Sequence, residues 1–183
     1  MNMGLVLVDI QNDYFKGGRA ELFNPEKAAD EAEKILYFFR RKNWPVFYIK
    51  HVNIENKRGF FIPGTSGVDI YKGVYPLDNE PVIIKHTPDS FFCTRLRSEL
   101  EENQVSHLVV CGMMSHMCID TTVRAAKNFD YTVTVIENAC TTRDLVWNEK
   151  KIPASKVHET FMAALNGTFA DIQTSDEWIE KMR

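Results

Sequence analysis

Three residues of reactive type stand at or just past the ends of short apolar runs. Asp9 follows Leu-Val-Leu-Val, Lys85 follows Val-Ile-Ile, and Cys118 comes shortly after Leu108-Val109-Val110. A carboxylate, an ammonium and a thiol in one place supply a base, a cation to hold it and a nucleophile. Gly112 breaks the run before Cys118, and Ile119, Val123 and Ala126 then recur at helical spacing. Cys118 therefore falls where strand gives way to helix. The first unpaired N–H groups of a helix favour negative charge, so the thiol is expected to be acidified there. Singly, each residue has a plain structural explanation: Asp9 as a turn cap, Lys85 as a solvated strand end, Cys118 as a core thiol. Their convergence favours a site.

The elements that must position them alternate. Residues 4–8 read as a buried strand ending at Asp9, and 10–18 as loop. From Pro25 a helix buries Ala28, Ala32, Ile35, Leu36 and Phe39 on one face, and Pro45 lies beyond it. Val46–Val52 reads as a strand. Residues 53–80 are rich in Gly and Pro and form a long loop, a usual place for function. A strand over 82–85, a helix around 94–103, a strand over 107–111 and a helix over 117–129 follow. Then come a strand at Tyr131–Ile136, a helix around 156–165 and a short strand near 168–172. Thr174 and Glu177 form a capping box for a last helix. Alternation of this kind predicts a three-layer α/β/α sandwich, a doubly wound parallel sheet of about six strands. Such sheets bind ligands beyond their carboxyl ends, which is where all three reactive residues fall.

The 183 residues, 44% hydrophobic and 26% charged, predict one domain spanning 1–183. A net charge of −3 with no long Lys/Arg block gives no sign of a nucleic-acid partner. No stretch approaches the ~20 apolar residues of a membrane span. The four cysteines form no C-x-x-C pair, and the N-terminus lacks a basic, signal-like region, so a reducing cytoplasmic location is expected.

Other candidates weigh less. His116 lies two residues before Cys118, too close in sequence to face it readily. Ser115 lacks the flanking glycines of a nucleophile elbow. Cys93, Cys111 and Cys140 read as structural. His51, Asn53 and His86 could line a metal site, but two imidazoles at undefined distance are a weak signal, and substrate contacts are the better reading. His158 reads as structural or surface, and Met113, Met114 and Met117 as packing or a pocket lining.

Three segments carry a resemblance over nearly the whole chain. They are Val8-Asp9-Ile-Gln-Asn-Asp-Tyr-Phe, Ile84-Lys85-His86 with Ser90-Phe91-Phe92, and Cys111-Gly-Met-Met-Ser-His-Met-Cys118-Ile-Asp-Thr-Thr-Val-Arg-Ala-Ala. With Asn138-Ala-Cys-Thr-Thr-Arg-Asp144, they resemble the isochorismatase-like cysteine hydrolases, which include nicotinamidase and N-carbamoylsarcosine amidohydrolase. The resemblance implies an Asp9–Lys85–Cys118 triad and a cis peptide at Met113–Met114. It also implies an oxyanion hole made by the Met114 and Cys118 N–H groups. Nicotinamidases carry an Asp-x-His metal motif after strand two; His51-Val-Asn53 stands here, so no metal or other cofactor is expected. Isochorismatases proper cleave a vinyl ether without the cysteine, so Cys118 favours hydrolysis at a carbonyl.

The expected activity is hydrolysis of a small-molecule amide or carbamoyl C–N bond through a thioester. Phe15, Asn53, Phe60, Tyr75 and His116 are expected around the pocket. A homo-oligomer is expected from the resemblance. The alternatives are a non-catalytic small-molecule-binding protein and a thiol redox sensor of the same fold.

Overall fold

The computed structural model describes residues 2–55 and 59–183. Strand β1 (Met3–Val8) is buried along nearly its whole length, as a central parallel strand must be. Its side chains alternate: Leu5 and Leu7 enter one core, Val6 and Val8 the other. Helix α1 (Pro25–Lys42) starts with proline in its first turn and buries the expected face from Ala28 to Phe39. Strands β2 (Val46–His51) and β3 (Val82–Lys85) follow, separated by the long loop. Helix α2 (Leu96–Glu102) leads to β4 (His107–Met113). A π-wound turn at Ser115–Ile119 runs directly into helix α3 (Asp120–Asn128). Strand β5 (Thr132–Thr141) comes next. A small antiparallel hairpin, β6 (Leu145–Trp147) and β7 (Lys150–Ile152), precedes helix α4 (Ala154–Leu165). Strand β8 (Asp171–Gln173) and helix α5 (Ser175–Met182) complete the chain.

The main sheet has six strands in the order β3-β2-β1-β4-β5-β8, all parallel. The chain moves outward from β1 to β3, then returns to the other side of β1 with β4. Order therefore reverses between β1 and β4, and their carboxyl ends diverge into a crevice. One face is covered by α1 and α5, where the Trp178 ring stacks on Phe39 at 5.5 Å. The other is covered by α2, α3 and α4 through residues such as Leu96, Val123 and Leu165. This is the expected three-layer sandwich. The capping box at α5 is present as expected, with Thr174 and Glu177 bonding each other's backbone N–H.

Two features depart from expectation. Strand β5 runs on to Thr141, past Ile136, because its second half pairs with Gly112 and Met113 beyond a bulge in the ladder. The β6–β7 hairpin was not expected. Its turn places Asn148 and Glu149 both at positive φ, the type I′ geometry that hairpins favour, without the usual glycine. Among the described residues, no helix is long and apolar enough to cross a membrane.

Candidate active site

Asp9 is the first residue beyond β1. Its backbone is left-handed, with φ of 53°, a conformation that Asp tolerates better than most side chains. Its N–H still donates to the Ile49 carbonyl at 3.0 Å, so the turn is anchored to β2 as it leaves the sheet. Lys85 ends β3 and His51 ends β2, and the two are register partners. Lys85 Nζ lies 2.9 Å from Asp9 Oδ2 and donates to the Pro88 carbonyl at 2.9 Å. His51 Nδ1 lies 3.8 Å from the same carboxylate oxygen. Asp9, His51, Lys85 and Cys118 are all at most 4% exposed.

Cys118 comes from the other side of the crevice. Gly112 has φ of 133°, and a Cβ there would stand 2.0 Å from the Val8 carbonyl oxygen. Only glycine lets β4 lie this close to the end of β1. The Met113–Met114 peptide is cis. The Met114 carbonyl then accepts from Met117 N–H at 3.0 Å and Ile119 N–H at 3.3 Å, and the second bond closes a π turn. Ser115 Oγ bonds His158 Nδ1 at 2.8 Å, which ties this turn to α4. The result brings the Cys118 sulfur, an Asp9 oxygen and a His51 nitrogen within 4.8 Å of one another.

Charge in this pocket is set by contest. Burial would raise the Asp9 carboxyl, but the Lys85 ammonium, with help from His51, holds it below its ordinary 3.8. Burial would lower Lys85, but Asp9 and the Cys118 sulfur keep it above 10.5. For Cys118 burial wins: with the Asp9 carboxylate beside it, the thiol is pushed far above its ordinary value despite Lys85. The expected acidification of Cys118 is therefore not found. The cysteine does sit in the first turn of a helical run, but the helix terminus is outweighed by desolvation and a neighbouring anion. The resting site is a carboxylate, an ammonium and a neutral thiol. Both Asp9 oxygens are buried, and among the described residues neither has a well-aligned hydrogen-bond partner, the Lys85 contact to Oδ2 being an ion pair.

The aromatic and polar surroundings sort as follows. Phe15 stacks on Tyr71 at 3.7 Å. Phe60 packs on Tyr14 and Phe61, and the Phe61 ring lies 5.9 Å from that of His51. Asn53 spends its amide on the Phe60 carbonyl at 2.7 Å. His116 is engaged with the Thr142 hydroxyl and packs on Phe161, so it is not grouped with the sulfur. Tyr75 is a correction. It is 65% exposed, and its carbonyl accepts from Arg40 near the amino end of β2, because the loop crosses to the far edge of the sheet before β3 begins.

Asn53 and His86 do not fit a metal centre. In His51-Val-Asn53 an imidazole stands where the nicotinamidase motif has its carboxylate and a neutral amide where it has its histidine; that amide is taken by the Phe60 carbonyl, and His86 Nδ1 faces the Val52 carbonyl at 2.8 Å. At Asp9 a cation, Lys85, is already in place.

Two residues that the sequence offered only as loop prove to fasten the site. Gln11 bridges strand end and loop, donating to the carbonyls of His51 at 2.9 Å and Val68 at 2.8 Å and accepting from His51 N–H at 2.8 Å. Buried Asp13 accepts the Phe61 N–H at 2.6 Å and the Arg19 N–H at 3.2 Å. Gly67 lies against that carboxylate so closely that a Cβ would meet it at 2.1 Å.

The Isochorismatase domain family matches residues 3–177. The chain belongs to the isochorismatase family. Family members are hydrolases, and this chain is an isochorismatase-family hydrolase by that membership. It is 49% identical to the uncharacterized isochorismatase family protein YddQ of Bacillus subtilis, over 98% of this chain and 100% of that one. It superimposes on an isochorismatase-type hydrolase structure from Oleispira antarctica with a TM-score of 0.94. That pair shares 37% identity over 98% of this chain and 96% of the other. It is also 29% identical to streptothricin hydrolase of Streptomyces noursei, over 94% of this chain and 59% of that protein.

Proposed function

We propose that this protein hydrolyses a small-molecule amide or carbamoyl C–N bond through a thioester on Cys118. The observation that carries the reading is the buried Asp9–Lys85 ion pair at 2.9 Å, with the Cys118 sulfur beside it at the strand-order switch. A thiol held neutral needs a base in contact, and Asp9 is that base. As the sulfur attacks the carbonyl carbon, its proton passes to Asp9. The Met114 and Cys118 N–H groups hold the oxyanion. The C–N bond then breaks as Asp9 returns the proton to nitrogen, releasing ammonia or an amine. Water cleaves the thioester to a carboxylic or carbamic acid and the free thiol. Lys85 keeps the carboxylate in place throughout, and Phe15, Phe60 and Asn53 belong to the walls.

Burial of the nucleophile to 4% exposure supports a small substrate rather than a polypeptide. Hydrolysis by the streptothricin relative supports the reaction class. A redox sensor needs an accessible, acidic thiol, and Cys118 is neither. A pure binding protein would gain nothing from burying an Asp–Lys ion pair against a thiol.

The test is mass spectrometry of the Cys118 peptide after mixing with a panel of amides and carbamoyl compounds. The expected result is an acyl or carbamoyl adduct on Cys118 with substrates that turn over. Full turnover by Cys118→Ala on such a substrate would overturn the reading.

A further inference from the structure

His51 is a buried titratable side chain in the site to which the steps above give no task. We propose that His51 is the base for the second half of the reaction, accepting the proton of the water that attacks the thioester. This rests on the cysteine-hydrolase reading and adds a residue to it.

The geometry carries the assignment. His51 ends the strand next to β1, and a ring nitrogen lies within 4.8 Å of the sulfur that would bear the acyl group. Its Nδ1 lies 3.8 Å from Asp9 Oδ2, so an imidazolium formed there would have a carboxylate beside it. Its backbone is gripped by the Gln11 side chain through both N–H and carbonyl. The ionisable groups around the ring are Asp9 after β1, Lys85 on β3 and Cys118 on the π turn; from the loop, the Phe61 ring packs against it.

The two half-reactions also ask for different bases. In the first, Asp9 needs only to carry a proton from sulfur to nitrogen. In the second, the proton comes from water, and the pocket offers a second acceptor for it, the His51 ring nitrogen grouped with the sulfur. An imidazole, whose ring nitrogen can take a proton and hand it back, suits that transfer. The step balances: water's oxygen bonds to the acyl carbon, its proton goes to His51, the C–S bond breaks, and His51 returns the proton to the sulfur.

The probe is 4-nitrophenyl acetate, which reports acylation as nitrophenolate release and leaves an acetyl group on Cys118. His51→Gln is expected to acylate at a rate within about threefold of wild type. Its steady-state turnover should fall by about 100-fold or more, with acetyl-Cys118 accumulating in the mass spectrum. In His51→Ala, added imidazole should restore deacylation, which a merely structural residue would not allow. An equal fall in both half-reactions, no fall in either, or no rescue by imidazole would overturn the assignment while leaving the Cys118 reading intact. Absence of any acetyl-Cys118 in wild type and both variants would overturn both.

Discussion

Two ion pairs lie at opposite edges of the same sheet, and they are built on opposite principles. At the amino edge, Arg40 forks onto Glu80 with bonds of 2.8 and 2.7 Å, and its second nitrogen also reaches the Tyr48 hydroxyl and the Tyr75 carbonyl. Glu80 takes the Leu77 N–H as well. Both Glu80 oxygens and two of the three Arg40 nitrogens are used there. At the carboxyl edge, Asp9 and Lys85 are more deeply buried, yet among the described residues both carboxylate oxygens lack a well-aligned hydrogen-bond partner. A satisfied pair ties an element down. A buried pair with spare acceptor capacity is free to take a proton, and that is the difference between a clasp and a site.

The comparison can be broken by replacing each pair in turn. The largest effect is expected from Asp9→Asn. Turnover on a substrate identified by Cys118 acylation should fall by about 1,000-fold or more. Lys85 would also be left buried without its counter-charge, costing about 3–5 kcal/mol of stability. Undiminished turnover would end the distinction. Gly112→Ala comes next, because it pushes apart the strands that form the carboxyl edge. Chemical denaturation should show a loss of about 3 kcal/mol, and activity should fall with it, since Met114 and Cys118 follow directly.

Arg40→Met should act on stability alone. Unfolding in urea should register a loss of about 1–3 kcal/mol from the unpaired Glu80, with kcat unchanged. A drop in kcat would show that the two edges are coupled. The smallest effect is the pH dependence of the melting temperature. His116 and His158 are held below their ordinary 6.5, chiefly by burial, so the unfolded chain binds more protons on acidification. Stability should therefore decline as pH falls through 6.5. Asp9, held low, should add its own loss only below 3.8. A flat profile across 6.5 would show that these imidazoles are not buried in the neutral form.

What the sequence revealed follows the same division. Asp9, Lys85 and Cys118 were legible because each stands at or just past the end of an apolar run, and a parallel sheet delivers such residues to one edge. His51 was visible only as a metal or substrate-contact candidate, since nothing local says that β2 lies between β1 and β3. Gln11 and Asp13 read as loop because their partners, Val68 and Phe61, are 57 and 48 residues away. Tyr75 was misplaced for the same reason: position in a loop does not say which edge of the sheet the loop visits. The β6–β7 hairpin escaped notice because its three-residue strands carry no period and its turn no glycine.

The Asp13 clasp has a consequence for redesign. One carboxylate, a single N–H at Phe61 and a side-chain-free contact at Gly67, joined by the Gln11 and Asn12 side-chain bonds to the Val68 and Ser66 carbonyls, fasten the pocket loop to the scaffold. None of these depends on the side chains in between. The segment between them is thus a replaceable cassette: a foreign stretch that keeps these attachment points should seat over an unchanged Asp9–Lys85–Cys118 floor, and new ligand preferences can be selected without rebuilding the sheet beneath.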